Sequence, residues 1–179
     1  QLPIGAEDDF EGVIDLVTMK ALYFDGANGE TIRSDAIPEN MLAESQTARQ
    51  EMLEAISMYS DELMELLLSE EEIPVDLIHQ VTQSAVHDLD FTPVYLGTAF
   101  RNKGVQPLLD AIVRYLPAPM DREKTAMGHE NPEEKVPLTV DVDAPFVGMA
   151  FKLVDDPYGQ LTFMRIYQGQ IAKGKQYTN

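Results

Sequence analysis

The sequence has no cysteine among its 179 residues. A disulfide framework and any thiolate metal site are therefore excluded, which fits a reducing compartment. No apolar run approaches the roughly 18–20 residues that a membrane span needs, and no charged-then-apolar leader opens the chain. Internal repeats and low-complexity tracts are also missing. Basic residues are scarce where it matters most: residues 1–92 carry 21 Asp and Glu against only Lys20, Arg33 and Arg49, whereas residues 93–179 carry ten of each sign. The whole formal charge of -18 thus sits in the first half. Such a surface repels nucleic-acid phosphate, which argues against DNA as a partner, and it steers towards a basic protein. Solubility alone also explains acidic surfaces, and composition leaves both readings open. Gln1 rather than Met opens the chain and Asn179 follows a strand-like run, so both ends are expected to be cut.

What is present divides along the chain. Residues 1–37 read as short strands: Gly12–Val17 and Ala21–Phe24 are β-branched or aromatic, and Asp25-Gly26-Ala27-Asn28-Gly29 supplies a turn before Ile32. Ile37-Pro38-Glu39 reads as a helix start, followed by a stripe of Ala48, Met52, Ala55, Ile56 and Tyr59, with Glu44, Glu51 and Glu54 towards solvent. The methionines of 41–64 read as core. Ser60-Asp61-Glu62 caps a second helix ending near Ser69, and Pro74 opens a third with Leu77, Ile78, Val81 and Ala85 inward. Pro93-Val94-Tyr95-Leu96 then reads as a strand, and Pro107–Leu116 as a helix with Leu108, Leu109, Ile112, Val113 and Leu116 on one side. Residues 121–145 are charged and Pro-containing, the composition of a linker. From Phe146 alternation returns, with Met149, Phe151 and Leu153 on one strand, a turn over Asp155–Gln160, and a second strand over Leu161–Tyr167.

The most informative run is Gly97-Thr98-Ala99-Phe100-Arg101-Asn102-Lys103-Gly104-Val105-Gln106, between that strand and helix. A small-residue turn there places backbone N–H groups at the carboxyl end of a sheet, where open α/β proteins bind nucleotides. An ordinary strand–turn–helix is the plainer alternative. The run resembles the guanine-contacting last motif of the translational GTPases in their elongation factor G form, G-S-A-[FL]-x-N-K-G-V-Q, with Thr98 where the family usually has Ser. The resemblance continues through Leu2-Pro3-Ile4-Gly5, Phe10–Leu16, Met19-Lys20-Ala21, Asp61-Glu62-Leu63-Met64, Tyr115-Leu116-Pro117-Ala118-Pro119, Asp156-Pro157-Tyr158-Gly159 and Leu161–Tyr167. The turn between Pro157 and Leu161 is one residue shorter than in many members, a hint of a divergent paralogue.

The resemblance implies a fold and a set of sites. The fold would be an acidic α+β insertion subdomain over 1–92, then the last strand, guanine loop and helix of an α/β P-loop-type G domain over 93–120, a linker over 121–145, and the first strands of an antiparallel β-barrel over 146–179. Gly97, Thr98, Ala99, Phe100 and Lys103 would border the guanine, with Gly104 permitting the backbone path. GTP or GDP with Mg²⁺ would serve the parent protein. The ribosome would be its partner, contacted through the stalk protein's C-terminal domain by Glu44, Glu51, Glu54, Glu62 and Glu65. Lys152, Arg165 and Lys173 of the barrel fragment could meet ribosomal RNA, although exposed cations on hairpins are common. A cytoplasmic monomer that couples GTP hydrolysis to tRNA–mRNA translocation is implied, with recycling or ribosomal-protection relatives and a stand-alone acidic adaptor as alternatives. The phosphate loop, the Mg²⁺-binding switches and the N-K-x-D motif should lie upstream, so this segment alone is expected to hydrolyse nothing and to need no cofactor.

Three further patterns carry less. Gly169–Lys175 fits G-x-x-x-x-G-K, but Gln176 replaces the Mg²⁺-ligating Ser or Thr and almost no chain remains for the helix that must follow. His79 and His87 stand two helical turns apart with Gln83 between, and His129 lies in the linker, so all three read as surface or packing residues. The acidic pairs Asp8-Asp9, Asp61-Glu62 and Asp155-Asp156 read as caps and turns rather than paired catalytic carboxylates.

Overall fold

The computed structural model describes residues 1–128 and 131–177. His129, and the closing Thr178 and Asn179, lie outside the described residues. The chain divides into two compact units, Gln1–Leu116 and Pro117–Asn179.

The first unit opens with a four-stranded antiparallel sheet in the order β1 (Leu2–Ile4), β2 (Gly12–Asp15), β3 (Lys20–Asp25) and β4 (Thr31–Asp35). The expected turn joins β3 to β4, with Phe24 opposite Ile32, and Gly26 and Gly29 both at positive φ. Ile14 of β2 and Ala21 of β3, opposite one another in register, are completely buried because a helix covers that face of the sheet, and Val13 on the other face is completely buried too. That helix, α1 (Glu39–Ser57), lays Met41, Ala48 and Met52 on Ile4, Ile14, Leu16 and Ala21. Arg49 fastens the same junction, donating to the Val17 carbonyl at 2.6 Å. Its half-buried guanidinium is desolvated, which lowers its pKa.

A second core lies among α1, α2 (Asp61–Leu68) and α3 (Val75–His87), where Leu53, Ile56, Leu63, Ile73, Ile78 and Val81 meet. Two expectations for α1 are corrected here. Ala55 is exposed, Tyr59 lies beyond the helix at the surface, and Leu53 holds the inward position, so the inward stripe runs through 45, 53, 56 and 57 with Met52 half-buried beside it. Ser45 and Ser57 can occupy it because their hydroxyls return to the helix, donating to the carbonyls of Met41 and Glu54, both at 2.8 Å. The methionines are not all core: Met58 is 76% exposed and Met64 lies at the surface. Ser60 caps α2 as expected, its hydroxyl accepting from Leu63 N–H at 3.2 Å.

Residues 93–96 do not form a strand. A parallel strand needs neighbours on its flanks, and no strand among the described residues lies beside this segment; the Leu96 N–H donates instead to Gln1 Oε1 at 3.0 Å. The helix that follows, α4 (Val105–Tyr115), begins two residues before the expected Pro107. It packs on α3 through Ala111 and Tyr115, against Val86 and Tyr95. Its apolar stripe is uncovered: Leu108, Leu109, Ile112, Val113 and Leu116 are all exposed, Val113 at 85%.

Among the described residues the second unit holds two antiparallel hairpins. Within the stretch expected to be linker, β5 (Lys124–Met127) pairs with β6 (Lys135–Leu138). The longer pair, β7 (Val147–Asp156) and β8 (Gly159–Gln168), turns at Pro157-Tyr158, tighter than the expected Asp155–Gln160 turn. Asp156 fixes that turn by accepting from Tyr158 N–H at 2.9 Å. Residues 169–177 hold turns and extended chain with no helix, so the G-x-x-x-x-G-K match is not a phosphate loop. No helix among the described residues is long and apolar enough to cross a membrane.

Candidate functional site

The loop at 97–104 is built by two glycines and one reciprocal backbone pair. Thr98 N–H donates to Lys103 C=O at 2.9 Å and Lys103 N–H returns to Thr98 C=O at 3.2 Å, while Asn102 N–H closes on Ala99 C=O at 3.1 Å. The chain must then cross its own entry. A Cβ on Gly97 would stand 2.5 Å from the Lys103 carbonyl oxygen, and one on Gly104 would stand 2.3 Å from that of Leu96. Gly104 also takes a φ of 80°, the left-handed region only glycine enters without cost. Asn102 shares that region at φ 52°, where Asn is tolerated best after glycine.

The tip of the loop is open. The Phe100 side chain is fully exposed and Ala99 is exposed beside it. Among the described residues the N–H groups of Ala99 and Phe100 donate to no protein acceptor. A loop with free amides, a methyl-sized side chain and an exposed ring suits a planar aromatic base that carries hydrogen-bond acceptors. The structure therefore puts Ala99 and Phe100 at the tip, with Thr98 in the closing pair and Gly97 at the crossing below it.

Lys103 behaves differently. Its ammonium leaves the tip and donates to the Phe10 carbonyl at 2.9 Å. Three other side chains of the run do likewise. Arg101 donates to the Asp8 carbonyl at 3.0 Å and to Asp8 Oδ1 at 2.6 Å, Asn102 Nδ2 to Asn28 C=O at 2.9 Å, and Gln106 Nε2 to Gly29 C=O at 2.9 Å. Residues 26–29 and 100–103 line a cavity of about 320 Å³ between them. Sequence reasoning had Arg101, Asn102 and Gln106 inside its motif but assigned them no contact. The acceptors are mostly backbone carbonyls, which leave no mark in a sequence.

Behind the loop lies a small polar cluster. His79 Nδ1 stands 2.6 Å from the Tyr115 hydroxyl, and Tyr95 packs against the same cluster. Burial pushes both phenols up, and it pushes the His79 imidazole down, helped by the nearby Arg114 cation. Neutral groups in mutual hydrogen bonds are what a half-buried position between α3 and α4 demands. No group of three or more His, Cys, Asp or Glu side chains among the described residues is arranged to hold a metal ion.

The five acidic residues read as a partner surface are all exposed, Glu44, Glu51 and Glu54 on α1 and Glu62 and Glu65 on α2. Gln50 Nε2 donates to Glu54 at 2.9 Å, a bond between turns of the same helix. The acidic pairs fall where turn chemistry needs them: Asp8-Asp9 in a single 3₁₀ turn, Asp61-Glu62 in the first turn of α2, and Asp155-Asp156 at the β7–β8 turn.

No family model matches the chain. Individual proteins do. Over all 179 residues it is 55% identical to elongation factor G of Rhodopirellula baltica and 46% identical to elongation factor G 1 of Syntrophus aciditrophicus. Elongation factor G 1 of Desulfotalea psychrophila is 48% identical over 180 aligned positions. Each match takes in 100% of this chain and 26% of the relative, so the chain spans about a quarter of the length of these proteins. A crystal structure of a Thermus thermophilus protein has a TM-score of 0.70 at 29% identity, covering 97% of this chain and 23% of that one. The resemblance read from the residues thus holds from end to end: in sequence this chain is like a quarter-length stretch of elongation factor G.

Proposed function

We propose that this chain is the part of a ribosome-dependent translational GTPase that carries the guanine-facing loop and an acidic insertion, and that the parent protein drives tRNA–mRNA translocation in the cytoplasm. The observation that carries the reading is the loop at 97–104, whose free Ala99 and Phe100 amides form its tip, in a sequence about half identical to elongation factor G throughout. On this reading residues 1–92 are the insertion, 93–120 end the G domain, and 146–179 begin the barrel of the next domain. The uncovered apolar stripe of α4 and the unpaired segment 93–96 support that division, because both are surfaces an α/β sheet would cover.

The residues present fit one part of GTP and not the rest. Gly97, Thr98, Ala99 and Phe100 would hold the base: the free Ala99 and Phe100 amides donate, the small side chains of 97–99 leave room, and the Phe100 ring flanks the plane. GTP would supply the transferable phosphoryl group and Mg²⁺ its charge neutralisation, and no residue of this segment serves either. The segment alone is therefore expected to bind guanine weakly at most and to hydrolyse no GTP. The acidic face of Glu44, Glu51, Glu54, Glu62 and Glu65 is proposed to meet the ribosomal stalk protein. Its exposure and the one-sided charge of the first half support this.

The test uses the full-length gene product. It is expected to bind GDP, to hydrolyse GTP only when ribosomes are added, and to advance tRNA–mRNA in a translocation assay. Ribosome-stimulated hydrolysis without translocation would move the reading to a recycling or ribosomal-protection relative. Absence of guanine binding would overturn it in favour of an acidic adaptor.

A further inference from the structure

The loop at 97–104 is held from behind by groups that belong to the insertion. Lys103 reaches the carbonyl of Phe10, Arg101 grips Asp8 through both its side chain and its carbonyl, Asn102 reaches Asn28, and Gln106 reaches Gly29. These contacts join positions 74 to 93 residues apart. They touch only two pieces of the insertion, the single turn at Glu7–Asp9 with its following residue, and the β3–β4 turn. All four donors come from the segment that also forms the loop, and none points at its open tip.

The loop needs such anchors. Two of its residues, Asn102 and Gly104, take left-handed backbone angles, and its own closure rests on the Thr98–Lys103 pair and the Asn102–Ala99 bond. A turn of this kind has competing conformations, and outside contacts select one of them. The β3–β4 turn is itself shaped to be approached: a Cβ on Gly29 would lie 2.8 Å from the Asn102 carbonyl oxygen and 2.9 Å from that of Arg101. Glycine at 29 lets the backbones of turn and loop come into contact.

We infer that Arg101, Asn102, Lys103 and Gln106 are positioning residues, which clamp the guanine-facing loop onto the Asp8–Phe10 and Asn28–Gly29 segments of the insertion and so set how tightly the loop holds its base. The inference rests on the guanine reading above and moves Lys103 from the base-contacting set to the clamp. A ligand whose competent loop is only partly populated binds more weakly by that fraction. A loop with fewer anchors also leaves its base-holding conformation more often while the base is bound, so loosening the clamp speeds release without removing any contact to the base. The coupling is reciprocal: bound base steadies the insertion against the loop.

The experiment measures release of fluorescently labelled GDP from the full-length protein by stopped flow, beside its thermal midpoint. Lys103→Met removes a charge-assisted bond and is expected to speed release about three- to tenfold. Asp8→Lys, on the exposed insertion side and away from the tip, is expected to speed it about twofold. Pairing Asp8→Arg with Arg101→Asp rebuilds the ion pair but not the bond to the residue 8 carbonyl, and is expected to bring release closer to the wild-type rate than Asp8→Lys does, with the thermal midpoint of all variants within about 2 °C of wild type. Recovery by the swap is an outcome a merely structural residue would not give. Release rates unchanged in both single variants, with wild type binding GDP normally, overturn the clamp and leave the guanine reading standing. Failure of the wild-type protein to bind GDP overturns both.

Discussion

Gly104 gives the sharpest test of how the loop is built, because two costs meet there and a second glycine separates them. Gly104→Ala places a side chain at φ 80°, which costs about 1–2 kcal/mol on backbone grounds alone. Its Cβ would also sit 2.3 Å from the Leu96 carbonyl oxygen and 2.9 Å from Gly97 Cα, both parts of the main chain. Relieving that overlap means moving residues 96–97 off the Thr98–Lys103 pair, at a further cost of about 1–2 kcal/mol for the weakened bonds. The total is about 2–4 kcal/mol. Gly26→Ala is the control in the same unit. Its φ of 94° carries the first cost, but the atoms in its way belong to the Glu30 carboxylate, which can swing aside. Only about 1–2 kcal/mol is then expected. Urea unfolding followed by circular dichroism on both variants decides the matter. If Gly104→Ala costs no more than Gly26→Ala, the close crossing of Leu96 and Gly104 does not exist and the loop geometry argued above fails with it.

Other outcomes follow from the same structure. Leu63→Ala removes a completely buried side chain from the three-helix core and should cost about 3–5 kcal/mol, whereas Leu68→Ala on the same helix, 79% exposed, should stay within about 0.5 kcal/mol in urea titrations. Ser60→Ala deletes the α2 cap and should cost about 1 kcal/mol by the same assay. His79 gives a pH signature. Desolvation first, then Arg114, holds its folded-state pKa below the ordinary 6.5, while Asp15 and Asp76 oppose this weakly. The unfolded chain then takes up the proton first, so stability falls as pH drops below about 6.5 and the loss is complete once pH passes the folded value. Protonation also ends the acceptor role of Nδ1 towards the Tyr115 hydroxyl if that nitrogen carries the lone pair. His79→Gln should flatten the stability profile between about pH 7 and 5; an unchanged slope would assign the pH dependence to other groups.

Much of the first unit is legible in the sequence because its signals are local. The turn Asp25–Gly29, the Ser60 cap, and Pro38 and Pro74 before their helices each specify their element within a few residues. The failures are those of context. Ala55 and Leu53 both fit an apolar stripe by spacing, and only packing against Leu63 and Ile78 decides that Leu53 goes inward. Buried Ser45 and Ser57 hide because their hydroxyls are satisfied inside α1. Residues 93–96 read as a strand from composition, yet a strand exists only with a partner. The β5–β6 hairpin is not legible in the sequence because its strands are only four residues long, lie in a charged stretch, and one of them carries Pro137. In the candidate site the loop itself is visible in the sequence and its anchors are not, since all four clamping side chains seek main-chain oxygens and only Arg101 adds a carboxylate.

The contacts at the two ends of α4 show how the loop at 97–104 and residues 1–92 come to act as one body. Ala111 and Tyr115 bury themselves against α3, and Gln83 of α3 donates to the Arg114 carbonyl at 2.7 Å, near the end of α4. At the other end Gln106, in the first turn of α4, reaches the β3–β4 turn. The helix is therefore tied to residues 1–92 at both ends, and the loop at 97–104 is the short stretch immediately before it. The acidic face of α1 and α2 is separated from α4 only by α3, whose Ile78 and Val81 pack towards the first pair and whose Val86 packs towards the second. A partner that tilts α1 and α2 would move α3 with them, because a close-packed core shifts rather than compresses. Under the proposed function, stalk contact at the acidic face and the hold on guanine are then coupled mechanically through one helix. Coupling of this kind predicts that an acidic-face variant such as Glu51→Lys with Glu54→Lys leaves GDP release unchanged in the free protein and alters it only when the stalk is present. A change already seen in the free protein would instead place those carboxylates in the insertion's own stability.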